Sequence, residues 1–473
     1  MRSYDAVVVG AGPNGLAAAI TVAQAGRSVL VIEAEGTIGG GCRSAQLTLP
    51  GFAHDVCSAI HPLAIASPFF RSVPLEGHGL SFVHPDAPLA HPLDDGTAVV
   101  LERSVDDTSK WLGSDALAYR RLMAPLTAAA EDIVDDVLGP LRVPRHPVAM
   151  ARFGLFALRS TTALARSKFD GTRAAALLGG IAAHSMLSLR QPASAAYALM
   201  LAVIGHAVGW PIPRGGSQRI VDALGAHLLA LGGEVVTGRN VRAIDELPAA
   251  RAYLFDVTPR QLVSIAGERL PAGYRRRLER FRYGPGVFKV DWALDGPVPW
   301  KAPECARAGT VHVGGTLEEV AASEDEVVSG CAPERPYVLV AQQSLFDPSR
   351  APDDKQTLWG YCHVPSGGGM DMTERIESQI ERFAPGFRDR IIARSVMSSR
   401  NLERYNANYV GGDINGGAAD LRQVFTRPVA RLNPYTTPAA DIFICSSSTP
   451  PSGGVHGMCG YWAARSALHR ALR

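Results

Sequence analysis

The stretch Tyr4-Asp5-Ala6-Val7-Val8-Val9-Gly10-Ala11-Gly12-Pro13-Asn14-Gly15-Leu16 decides the fold. Tyr4 to Val9 reads as a buried parallel strand, and the alanine-rich run Pro13 to Ala25 reads as the helix after it. Ser28 to Glu33 reads as the next strand, so the chain opens on a compact β-α-β unit. Gly10 permits the turn out of the strand. Gly12 lets a diphosphate approach the backbone, and Gly15 lets the helix pack closely on the strand. The helix start offers unpaired amides to the diphosphate. Glu33 ends the second strand, 23 residues after Gly10, where a carboxylate accepts hydrogen bonds from an adenosine ribose and disfavours a 2′-phosphate. A GxGxxG alone marks many ordinary turns. Here strand, glycines, helix, second strand and acid agree on a dinucleotide site.

Gly39-Gly40-Gly41-Cys42-Arg43-Ser44 follows, and it moves the choice from NAD toward FAD. Glycines after the second strand bring the chain against the long axis of a flavin dinucleotide. Arg43 is positioned to neutralise phosphate or to hold this loop, and Cys42 reads as a small packed neighbour. A single dinucleotide fingerprint gives no reason to invoke a separate NAD(P)H domain. Near the far end, Asp441 to Cys445 reads as a last strand, and Gly453-Gly454-Val455-His456-Gly457 as a turn crossing close to a planar ring. A helix from about Val455 to Leu472 is expected to aim its first amides at the flavin.

These motifs, with Pro50-Gly51-Phe52, His54 to Pro62, Arg214 to Gln218 and Tyr409-Val410-Gly411-Gly412-Asp413-Ile414, resemble the phytoene-desaturase-related flavoproteins of the amine oxidase superfamily. Within them the chain is most similar to the subgroup called pyridine nucleotide-disulfide oxidoreductase domain-containing protein 2. The resemblance spans nearly the whole chain. It implies that Gly10, Gly12, Pro13, Asn14, Gly15 and Glu33 hold the ADP half of FAD. It places Gly40, Gly41 and Arg43 toward the flavin, and Val241 against adenine through its backbone. Ser447, Gly454 and Val455 are assigned to the flavin end. The chain departs from the family's common form in carrying Ser446 to Ser448 and Ser452 where glycine or an acid is usual, which changes the hydrogen bonding available to the ring.

The expected fold class is α/β, with a Rossmann-like FAD-binding domain assembled from separated segments and an inserted α+β substrate domain. The FAD-binding segments are 1–75, 211–280 and 401–473. The inserted segments are 76–210, mainly helical, and 281–400, strand-rich. Trp111 to Leu138, Val148 to Leu164 and Asp371 to Phe383 read as helices. Val241 to Ile244 completes a second α-β unit, and Tyr253 to Val257 reads as a strand.

Composition bounds the function. The chain has 473 residues, 47% hydrophobic and 19% charged, which supplies a core and excludes a mainly disordered or fibrous protein. A net charge of +2 argues against nucleic acid as a partner. The seven scattered cysteines do not read as a secreted disulfide scaffold, and no signal-type segment opens the chain, so a cytoplasmic location is expected. Ala193 to Trp210 is apolar over about one membrane span, but Ser194, Tyr197 and His206 make it a buried helix of the inserted domain. Arg145, Arg152, Arg159, Arg166 and Arg173 recur every seven residues. On one helix they form either a solvated face or a basic stripe touching the anionic inner-membrane surface.

The leading activity is removal of hydride from an apolar or amphipathic small molecule by FAD. His61, His456 and Tyr409 are the candidate catalytic side chains. Amine oxidation is an alternative, with Tyr435 and Trp462 as aromatics near the amine. Redox-neutral isomerisation and a non-catalytic FAD-binding scaffold complete the set. Oxygen, a quinone and a protein carrier all stand open as electron acceptors. No metal is expected. His54, Asp55, Cys57 and His61 are the nearest approach to a ligand set.

Overall fold

A computed structural model describes residues 3–473. In chain order its principal strands are β1 (Tyr4–Val9), β2 (Val29–Ile32), β3 (Ala87–Pro92), β4 (Ala98–Leu101), β5 (Glu234–Val236), β6 (Ala250–Phe255), β7 (Gly286–Leu294), β8 (Ala308–Val313), β9 (Val338–Ala341), β10 (Gln356–Val364), β11 (Ile391–Met397) and β12 (Ile442–Ile444). The helices used below are α1 (Pro13–Gln24), α2 (Pro147–Ala157), α3 (Ser194–Ala207), α4 (Gln218–Ala230), α5 (Thr373–Phe383) and α6 (Met458–Arg470).

The first sheet runs β12-β6-β1-β2-β5, all parallel. It is buried on both faces, which is why Val7-Val8-Val9 and Val29-Leu30-Val31-Ile32 are unbroken apolar runs. Helix α1 packs against both α4 and α6, so three distant chain segments close one domain. The fold is the expected one: a Rossmann-like unit built from separated segments, with an α+β insertion.

The inserted sheet runs β11-β7-β10-β9-β8-β3-β4 and is antiparallel except where β8 meets β3. Strand side chains alternate between faces, and here the faces differ in chemistry. One carries Val290, Trp292, Leu358, Cys362, Val338 and Val340, sealed by Ile376, Ile380 and Phe383 of α5. The other carries Lys289, Asp291, Trp359, Tyr361, Leu339, Thr310 and His312, brought into register by the Lys289–Tyr361, Asp291–Trp359, Leu339–Tyr361 and His312–Leu339 pairings.

Several local expectations are corrected. The helical pattern 111–138 is broken into Ala116–Thr127 and Ala130–Val137. The pattern 148–164 breaks at Ser160, whose Oγ accepts from Ala163 N–H (3.2 Å) and starts a new helix at Thr161. The arginine repeat therefore does not lie on one helix. Arg152 is on α2, Arg145 precedes it, and Arg173 is pinned to the carbonyl oxygens of Trp111 (2.5 Å) and Ala98 (2.6 Å). Residues 241–243 form no strand, and the last helix begins at Met458, three residues beyond Val455. Ala193 to Trp210 forms α3, and no helix among the described residues is long and apolar enough to cross a membrane.

Candidate active site

The turn from β1 into α1 forms one side of a groove. A Cβ on Gly15 would stand 2.0 Å from the Gly10 carbonyl oxygen, so only glycine permits this approach of helix to strand. Glu33 is buried, and its carboxylate accepts from Ala11 N–H (2.7 Å), Glu35 N–H (3.0 Å) and the Arg43 guanidinium (3.1 Å). An ionised carboxylate has about four acceptor sites, so capacity is left for a ribose. Arg43 also donates to Thr37 O (2.8 Å). Its contacts brace loop 37–43 against Glu33, the loop-holding role of the two expected. Gly238 N–H donates to Glu35 O (2.7 Å) and Arg239 N–H to Glu33 O (2.9 Å), which ties the segment before Val241 to the end of β2.

The groove passes Gly12, Pro13, Asn14, Gly40, Gly41 and Ser447 and opens into a larger cavity. The two share Pro13, Asn14, Gly41, Tyr409, Ile414 and Ser447. Asn14 Nδ2 donates to Ser447 Oγ (3.3 Å), while the buried Asn14 Oδ1 has no protein partner among the described residues. An open helix start, a glycine-lined trough and a buried orphan acceptor fit a flavin dinucleotide. Gly41 marks the bend, since a Cβ there would meet the Tyr409 hydroxyl at 2.2 Å.

Asp256, just beyond β6, lines the same groove, and its Oδ2 accepts from Gly15 N–H (2.9 Å). Burial pushes this carboxyl up to about 7. The Gly15 amide opposes the rise and Glu33 adds to it.

The larger cavity has a volume of about 310 Å³ and lies between the parallel domain and the chemically mixed face of the inserted sheet. Trp210, Trp359, Tyr361, Leu201 and Leu339 are among its apolar walls. Trp359 and Tyr361 meet edge-on, with centroids 5.1 Å apart. Lys289 is the cation in this wall and is fully buried. Its ammonium is bonded to Asp291 and lies 5.8 Å from the centre of the Trp359 ring. Burial raises the Asp291 carboxyl to about 6, and Lys289 opposes the rise. His54 sits 3.5 Å from Asp291, and burial holds its imidazole neutral, down at about 3. Beyond it Asp55 and Arg350 form a fully buried pair at 2.7 Å. No Asp or Glu lines this cavity among the described residues.

Of the three candidate catalytic side chains, two line the cavity. His61 Nε2 is 2.8 Å from Ser217 Oγ, whose own proton goes to Ser58 O (2.7 Å). Ser217 must therefore accept, so His61 carries its proton on Nε2 and leaves Nδ1 bare. That Nδ1 has no partner among the described residues. Burial holds His61 neutral, at about 4. Tyr409 stands at the junction of groove and cavity, and burial raises its phenol well above the ordinary value. His456 is differently placed. Its Nε2 donates to Ser452 O (3.1 Å) and its Nδ1 accepts from Met458 N–H (3.0 Å), so both nitrogens brace the start of α6. Gly454 and Val455 line the cavity as non-helical backbone, not as a helix start. Ser452 has φ +102°, a region that favours glycine, and its Oγ bonds the buried Arg427 guanidinium (2.5 Å).

Tyr435 and Trp462 do not reach the cavity. Their polar atoms donate to Pro450 O and Leu138 O. The aromatic walls come instead from Trp210, Trp359 and Tyr361, which sequence reasoning missed along with Asp256 and Lys289. One signal was legible: Lys289-Val290-Asp291 puts two charges on one face of an otherwise apolar strand. Such a pair inside a β run is costly unless the charges meet each other.

A family model described as "NAD(P)-binding Rossmann-like domain" matches residues 8–71. The rat pyridine nucleotide-disulfide oxidoreductase domain-containing protein 2 is 25% identical across 99% of this chain and 93% of its own length. One polypeptide of the limonene dehydrogenase of Castellaniella defragrans is 30% identical over 126 residues, covering 26% of this chain and 23% of that protein. Putrescine oxidase bound to putrescine superposes with a TM-score of 0.63 at 19% identity, covering 99% of this chain and all of that one. Residues 8–71 thus form a Rossmann-like nucleotide-binding unit, and the fold as a whole is the one shared with putrescine oxidase.

Proposed function

We propose that the chain dehydrogenates a largely apolar small molecule that carries no positive charge. One observation carries this reading. The cavity that meets the FAD groove is walled by aromatic and aliphatic side chains, and its charged group is a lysine. A cationic substrate would lose its hydration there and find no carboxylate to replace it. Bound FAD supplies the two-electron acceptor, taking a hydride from the substrate. Trp210, Trp359 and Tyr361 exclude water and orient the reacting carbon beside the groove. His61, whose buried Nδ1 has no partner among the described residues, is the wall residue proposed to take the proton that leaves with desaturation, and Tyr409 stands where the groove joins the cavity. Lys289, neutralised by Asp291, adds a polar group to this wall without a free charge. Oxygen, a quinone or a protein carrier would serve as the final electron acceptor.

Oxidation of a neutral amine is the second reading, favoured by the edge-on Trp359–Tyr361 pair and by the architecture shared with putrescine oxidase. The similarity to the rat protein supports the assigned subgroup without choosing between the two. The short match to the limonene dehydrogenase polypeptide supports a hydrocarbon.

Anaerobic mixing of the holoprotein with limonene, octylamine and putrescine separates the readings through loss of the oxidised-flavin colour. Bleaching by limonene supports desaturation. Bleaching by octylamine, faster as pH rises toward the amine's own pKa, supports amine oxidation. Bleaching by putrescine above both would overturn the uncharged-substrate reading.

A further inference from the structure

A second cavity, about 390 Å³, lies behind the first and shares Leu63, Tyr197, Leu201 and Gly453 with it. Its mouth is formed by residues 139–144, α2 and residues 419–425. That mouth is apolar on its outer surface as well as its inner one. Leu141, Leu158 and Phe425 line the cavity and are also exposed, Phe425 at 51%. Beside them Val143 (87%), Val148 (76%) and Leu155 (68%) project outward without lining it.

Helix α2 shows how this face is built. Phe153 and Ala157 are buried, and Met150 and Gly154 turn toward the cavity. Val148, Leu155 and the neighbouring Leu158 come round to the solvent side. A surface helix ordinarily gives that side to polar residues, so this face is unpartnered. Two arginines beside it are unpaired. Arg145 and Arg152 are exposed and make no side-chain hydrogen bond or ion pair among the described residues. The nearby acids have partners of their own: Asp132 lies against His146, Asp136 accepts from the amides of Arg145 and His146 and lies beside Arg142, and Glu131 and Asp135 share Arg71.

We propose that this face rests on an anionic lipid bilayer and that the second cavity admits apolar substrate from the lipid to the flavin-side cavity. An apolar helix face rimmed by free arginines matches a surface with anionic headgroups over hydrocarbon. The Tyr197, Leu201 and Leu63 side chains form the partition between the two chambers. A second copy of the chain would meet its own arginines across a twofold axis, which makes it the poorer occupant.

The route into the site rests on the apolar-substrate reading, but docking is measured without turnover, so either can fail alone. Holoprotein is floated with vesicles of phosphatidylcholine alone and with about one quarter phosphatidylglycerol added. Wild type is expected to float with the anionic vesicles and less with the neutral ones. R145Q/R152Q should reduce anionic flotation to the neutral level. V148E/L155E should lose roughly tenfold or more on both. Both variants should keep FAD and melting temperature, since the altered side chains are exposed. Failure of wild type to float, or equal flotation of V148E/L155E, overturns the proposal. A wild-type dimer in light scattering that V148E/L155E converts to monomer also overturns it, in favour of a second copy.

Discussion

Asp256→Asn tests how the groove tolerates a carboxylate where it must accept a diphosphate. The Asp256 side chain faces Gly12 and Gly15, and its Oδ2 already occupies the Gly15 amide at the helix start. The titratable groups around it are Glu33, which is paired with Arg43, and the buried thiols of Cys445 and Cys459. Its folded pKa is raised, so the native state binds the extra proton and stability falls as pH climbs from about 4 to about 7. A rise from 3.8 to about 7 corresponds to roughly 4 kcal/mol lost by pH 8, an upper figure for a buried acid. Asparagine keeps the acceptor for Gly15 and removes the penalty. Apoprotein D256N should therefore equal wild type near pH 4 and exceed it by a few kcal/mol at pH 8 in urea unfolding. Bound FAD would bring two negative charges into the groove that this carboxyl lines and so raise its proton affinity further. Binding to wild type should then take up a proton, and Kd should weaken about tenfold per pH unit above 7. The Kd of D256N should be flat. Titrating apoprotein with FAD by flavin fluorescence from pH 5 to about 9 reads this directly, with no turnover. Parallel Kd profiles for the two proteins would refute the reasoning.

Glu33→Ala should weaken FAD retention by about 1–3 kcal/mol, read by equilibrium dialysis, and unchanged retention would remove Glu33 from the site. Gly41→Ala should displace the Tyr409 hydroxyl and release flavin with little change in circular dichroism, because the added carbon falls at the bend of the groove. Lys289→Met strands the Asp291 carboxylate and should cost about 3–5 kcal/mol in urea unfolding, with K289M/D291N recovering most of it. Ser452→Ala should lose more stability than S452G, because it keeps the unfavourable φ while removing the oxygen that Arg427 bonds; the measurement is the difference in melting temperature.

What the sequence made legible was local. The glycines from Gly10 to Gly15, the acid at Glu33 and the apolar runs around them are each within reach of their partners along the chain, so spacing alone locates the first half of the groove. Arg43 was found by position but not by contact, because its pairing with Glu33 depends on how loop 37–43 folds back. The cavity wall was illegible for a different reason. Trp359, Tyr361, Lys289 and Thr310 come from three strands whose register is set by pairings distant in the chain, and nothing in a single strand says which face will meet the flavin. His61 and His456 looked alike in sequence, each beside glycines or proline near the expected ring. Hydrogen-bond accounting separates them. His456 spends both nitrogens on backbone, whereas the commitment of Ser217 to a carbonyl forces a bare Nδ1 on His61. The same accounting applies to the charges. Asp55 is met by Arg350 and Asp291 by Lys289, so the positive end of Lys289 is already spent on a carboxylate and cannot serve as an anchor for an acidic substrate. A cavity that offers neither a free cation nor a carboxylate selects by shape and apolar surface, and that selection is consistent with a substrate that reaches the flavin through an equally apolar antechamber.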